Sequence, residues 1–149
     1  MRVLLVALSA TSMGDELVGH VEALQRVRAS VHLVSRAAPA PALAAVLDGR
    51  TAIGAPVAMW RLPRPLSKVR VEPNRLVDAV RLARGRRCRT LVASADALVA
   101  VDPTAVAAVW LAARQRRDAP AIQGLAAAVT RLAAGLDGVY PSGTDPLTR

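Results

Sequence analysis

The sequence predicts an α/β fold: one doubly wound parallel sheet of five to six strands, its first strand central, with helices on both faces. Three observations lead there. The chain opens with an apolar run at 2–8, a loop at Ser9–Gly14, an amphipathic helical pattern over Asp15–Arg28, and a second apolar run, Val31–Ser35. That is strand, loop, helix, strand, the opening unit of a parallel sheet. Short apolar runs then alternate with helical patterns along the rest of the chain, which is the signature of a wound sheet. Finally, 149 residues with 53% hydrophobic content suit one domain with a sizeable core.

The remaining elements follow in order. Ala37–Pro41 breaks the chain, and a short helix over Ala42–Leu47 stops at Asp48-Gly49. Ala55–Leu62 reads as a third strand, ended by Pro63-Arg64-Pro65 because proline cannot continue a ladder. A helix starts at Pro73-Asn74 and runs through Leu76, Val77, Val80 and Ala83. Cys88, Leu91, Val92 and Ala95 keep helical spacing, so the helix is read as continuing past a kink or break near Gly85; a strand over Leu91–Ala93 is the alternative. Ala97–Val101 is the fourth strand and Thr104–Arg117 the next helix, with Pro103 near its start. Pro120–Gln123 is a fifth strand, and Leu125–Ala134 a helix capped by Gly135. Gly138–Tyr140 is a short sixth strand. The domain spans 1–140, and 141–149 is an irregular tail.

Composition narrows the function. Phe is absent and aromatic residues make up 2%, so the core is aliphatic. The single Cys88 excludes an internal disulfide and a cysteine-based metal site, which fits a reducing cytoplasm. No apolar run approaches the ~20 residues of a membrane span, and the opening run lacks the cleavage pattern of a signal peptide. The net charge of +9 is concentrated: residues 61–89 hold ten basic and two acidic residues, whereas the rest of the chain holds ten and nine.

Ligands of parallel sheets gather at the carboxyl ends of strands, which points to the Ser9–Gly14 loop, Asp102 and Gly124. The loop has neither the Gly-x-Gly-x-x-Gly of dinucleotide folds nor a Gly-Lys-Ser/Thr cradle, so no cofactor is expected. The first strand ends Ala7-Leu8-Ser9-Ala10 with no acidic pair, which excludes a phosphoacceptor receiver. Ser12-Met13-Gly14-Asp15 is a helix-capping pattern, and Ser12 with Gly14 could alternatively hold a ligand at a helix N-terminus. His20 and His32 are read as structural, and no metal site is expected. Asp102 is the one catalytic candidate: it reads equally as a base for a substrate hydroxyl or as the N-cap of the following helix. Arg61, Arg64, Lys68, Arg84, Arg86 and Arg87 are the contacts expected for an anionic partner. That partner is an anionic lipid or a phosphorylated acceptor; nucleic acid is disfavoured because no aromatic residue interleaves the arginines.

Gly14-Asp15, His20-Val21, Leu24 and Val31-His32-Leu33-Val34-Ser35 together resemble the opening of family 4 glycosyltransferases of the GT-B fold. Asp96–Pro103 is similar to their fourth-strand stretch, which ends in an acidic residue facing the cleft, and Asp137–Ser142 to their sixth strand. The resemblance implies a Rossmann-like N-terminal half that contributes the acceptor side. Asp15 stands where the family has a second glycine and Ala100 where it has a histidine. The half that binds the nucleotide sugar in that family has no counterpart in this sequence. The expectation is therefore a partner-dependent or non-catalytic subunit of a sugar-transfer system, inactive alone. It would pair with another chain or a second copy, in the cytoplasm or peripherally at the inner membrane face. The rival reading is a reused fold acting as an interaction module through Arg61–Arg89.

Overall fold

The computed structural model describes residues 1–9, 14–53, 80, 82, 85–114 and 119–136. Five strands, β1 (Arg2–Ala7), β2 (Ser30–Ser35), β3 (Gly49–Ala52), β4 (Ala97–Ala100) and β5 (Ala121–Gln123), form one sheet in the order β3-β2-β1-β4-β5. Every pairing is parallel, and β1 lies at the centre. Five α-helices accompany it among the described residues: α1 (Val18–Arg26), α2 (Pro41–Val46), α3 (Arg86–Ser94), α4 (Val106–Ala113) and α5 (Leu125–Leu136). This is a Rossmann-like α/β fold.

The period of two along β1 builds both halves of the core. Val3, Leu5 and Ala7 face one cluster, with Val21 and Leu24 of α1, Leu43 of α2, and Leu125, Ala128 and Leu132 of α5. Leu4, Val6 and Leu8 face the other, with Cys88 and Val92 of α3 and Ala108, Val109 and Ala112 of α4. A strand buried on both faces must be apolar throughout, which is why β1 reads as a continuous run. Helix α1 ends at Arg26, and Arg28, with φ of 59°, closes the turn that follows through Ala29 N–H to Leu24 O at 3.1 Å and Arg28 N–H to Gln25 O at 2.8 Å.

Several boundaries differ from expectation. The strand beside β2 is Gly49–Ala52, where the sequence suggested a stop; the Ala55–Leu62 run lies outside the described residues. β3 is an edge strand with no buried residue, so it carries no apolar signal. Gly85 is extended and precedes α3, so the expected break falls there and residues 86–94 are helix, not strand. Single turns of 3-10 helix, Asp15–Leu17 and Pro103–Ala105, lead into α1 and α4. Gly135 lies inside α5 and does not cap it. The starting point expected near Pro73, the sixth strand and the tail all lie outside the described residues.

Candidate functional site

Strands β1 and β4 are neighbours whose following connections diverge: β1 leads to β2 on one side and β4 to β5 on the other. Such a switch point opens a crevice at the carboxyl ends of the two strands. Asp102 stands there. One carboxylate oxygen, Oδ2, accepts the Leu8 N–H at 2.7 Å and the Ser9 N–H at 3.0 Å. The other, Oδ1, accepts the Ala105 N–H at 2.9 Å and the Thr104 hydroxyl. A carboxylate offers about four acceptor positions, and the chain itself fills them. Asp102 is thus the N-cap of the turn into α4 and, at the same time, a clasp on the end of β1.

The same contacts decide what the crevice can hold. In phosphate-binding folds the backbone N–H groups of this region point at the ligand. Here the Leu8 and Ser9 N–H groups already face a carboxylate. The first turn before α1 adds Asp15 and Glu16 and no cation, a polarity that suits the helix but opposes a second anion.

The other expected site residues divide by position. Gly14 is extended, with φ −72° and ψ 173°, and a Cβ there would make only ordinary contact with Glu16, so nothing in its geometry demands glycine. Gly124, by contrast, has φ +84°, and its N–H donates to Ala100 O at 2.9 Å, turning the chain from β5 into α5. No atom lies within 4 Å of where its Cβ would be, so the demand for glycine there is conformational and not steric. Ser12, Arg61, Arg64, Lys68 and Arg84 lie outside the described residues. Arg86 and Arg87 are exposed at the start of α3, with Arg89 beside them, and α3 has no acidic residue in its first turn. Half-buried His20 is in α1, its Nδ1 3.4 Å from Glu16 O.

Two carboxylates at the opposite, amino end of the sheet were not anticipated. Asp48 donates its N–H to Val31 O at 3.0 Å and accepts the Val31 N–H at 2.6 Å. Asp96 does the same to Arg2, at 2.8 and 2.7 Å. Each stands directly before a strand and extends its pairing by one step. The signal that could have found them is an aspartate immediately preceding β3 and β4.

His32 lies close to one of these clasps. Its Nε2 is 3.0 Å from Thr51 Oγ1 on β3. Its ring covers Gly49, where a Cβ would fall 2.5 Å from Nδ1 and 2.7 Å from Cε1. Gly49→Ala is expected to displace the ring and destabilise the fold by about 1–2 kcal/mol; the companion change His32→Ala should remove most of that penalty, as a double-mutant cycle by urea denaturation will read out. Burial lowers the His32 pKa below its ordinary 6.5, with the Asp48 charge working in the opposite direction. The folded state then binds fewer protons than the unfolded one, so this contribution to stability is complete above pH 6.5 and is lost as the pH falls from there through the lower folded-state pKa. Denaturation midpoints measured from pH 7.5 to pH 5 should fall, and less so in His32→Gln.

A cavity of about 280 Å3 opens at this amino end, lined by Arg2, Leu4, Ser30, His32, Leu91 and Ser94. The Ser94 hydroxyl donates to Leu91 O at 3.1 Å. Among the described residues, no group of three or more His, Cys, Asp or Glu side chains is placed to hold a metal ion, and no helix is long and apolar enough to cross a membrane. No family model, curated protein or solved structure matches the chain.

Proposed function

We infer that the chain is the acceptor-side half of a sugar-transfer system, a domain that binds and positions but carries out no chemistry of its own. Asp102 carries this reading. It is the carboxylate at the switch point, and its acceptor positions are taken by Leu8, Ser9, Thr104 and Ala105. To take a proton from a substrate hydroxyl it would have to release groups that hold β1 to α4. The resemblance of 14–35 and 96–103 to glycosyltransferase N-terminal halves supplies the system, and a partner chain or a second copy supplies what faces the carboxyl-end loops. The cytoplasm is the compartment that goes with this reading.

The test is amide chemical-shift mapping of the labelled protein. A panel of sugar and sugar-phosphate acceptors should perturb Leu8, Ser9, Val101 and Gly124, and nucleotide sugars should perturb none of them. Micromolar nucleotide-sugar binding, or acceptor shifts confined to the opposite end of the sheet, would overturn the reading.

A second reading is favoured by a separate observation. Arg86, Arg87 and Arg89 are exposed on a helix without acidic residues. They suit an interaction module that meets an anionic partner through the Arg61–Arg89 segment.

A further inference from the structure

Among the described helices, charge is divided between the two faces of the sheet. On the α1, α2 and α5 side, Asp15, Glu16 and Glu22 offset Arg26, Arg28 and Arg131, and Glu22 lies 3.9 Å from Arg26. On the other side, α3 and α4 contain no acidic residue. α3 packs over β1, and α4 over the adjacent strand β4 and over β5, so the two helices cover the same face. Their outward surface exposes Arg86, Arg87 and Arg89 from α3 and Trp110 and Arg114 from α4. Trp110 is 57% exposed, and the Arg114 guanidinium carbon stands 4.8 Å from its ring centroid.

We propose that the α3–α4 face docks on an anionic lipid bilayer, with Trp110 at headgroup depth and Arg86, Arg87, Arg89 and Arg114 against the lipid phosphates. This gives the second reading above a class of partner and does not depend on the first. Three features favour a bilayer over a protein or a nucleic acid. Arg86 and Arg89 line one open groove with Thr90 and Ala93, while Arg114 stands on the other helix, so the cations extend over two helices, which fits an extended anionic surface. Of the apolar residues of α3, Cys88 and Val92 are buried and Leu91 is partly buried, and only the small Ala93 is exposed, so the helix offers charge and not an inserting face. Trp110 is the one large apolar side chain that α4 exposes, with Val106, Leu111 and Ala113 partly buried beside it, so the helix offers a single anchor and not a broad apolar patch. A tryptophan with flanking arginines is the amphipathic combination that settles at a membrane–water interface.

Each arginine near an anionic surface strengthens partition about fivefold. The full-length protein should co-sediment with phosphatidylcholine vesicles containing about 30% phosphatidylglycerol, should not co-sediment with pure phosphatidylcholine, and should be released by about 0.5 M salt. Replacing Arg86, Arg87 and Arg89 together by Gln should weaken partition about a hundredfold. The charge-matched triple on the other face, Arg26, Arg28 and Arg131 to Gln, should change it severalfold at most. Tryptophan emission should shift to the blue on binding, and Trp110→Ala should abolish the shift. All these positions are exposed, and a thermal melt of each variant verifies its fold. Equal losses in the two triples, or a blue shift that survives Trp110→Ala, would overturn the proposal. So would tighter binding to a single-stranded oligonucleotide through the same arginines, which would leave the second reading standing; failure to bind either anion would remove both.

Discussion

Replacing Leu98 by alanine is expected to lower stability by about 3 kcal/mol, the size typical of a fully buried leucine deleted from a core. Leu98 lies on β4, paired with Leu4 of β1 and with Ala121 of β5, and is 0% exposed. Its side chain belongs to the cluster beneath α3 and α4, where Ala105, Ala108 and Ala112 lie beside Cys88, Val92 and Val109. Alanines have no rotamers and valines few with which to fill a vacated space, so most of the cavity will persist. For a domain of this size the melting temperature should fall by about 9 °C. The urea midpoint should drop with an unchanged slope. A loss below about 1 kcal/mol would mean that the layer over β4 is looser than described.

Asp102→Ala is expected to cost a similar amount, about 3 kcal/mol, for a different reason. It removes an N-cap and strands the Leu8 and Ser9 N–H groups. Asp102→Asn should cost about half as much, because one acceptor oxygen remains while the amide NH2 opposes the other N–H donors. Thr104→Ala, which removes one donor only, should cost about 1 kcal/mol. Hydrogen exchange at Leu8 and Ser9 should accelerate in Asp102→Ala more than at Val31, whose N–H is held by Asp48. Uniform acceleration would show that Asp102 acts on the whole fold and not as a local clasp.

Sequence reasoning captured what depends on local pattern. β1, β2 and β4 are interior strands, and their buried runs appear directly as apolar stretches. The division of helices between two faces follows from the wound alternation. β3 escaped because an edge strand of Gly-Arg-Thr-Ala buries nothing and looks like the end of a turn. Gly135 misled because glycine is tolerated within a helix when Leu136 continues it. The strand partners of Asp48, Asp96 and Asp102 were not legible, since they lie 17, 94 and 94 residues away; an aspartate directly before a strand marks the place of the first two and not what they hold. Asp102 shows this most clearly. As a strand-end carboxylate before Pro103 it is equally a base or a cap, and only its register against Leu8 and Ser9 reveals four commitments.

The central claim, a binding domain without chemistry of its own, is tested most directly by incubating the purified full chain with nucleotide sugars and the acceptors found by shift mapping. Product formation is followed by mass spectrometry and donor binding by calorimetry. No transfer and no donor binding are expected, with wild type and Asp102→Asn indistinguishable. Transfer by the wild type that disappears in folded Asp102→Asn would contradict the claim.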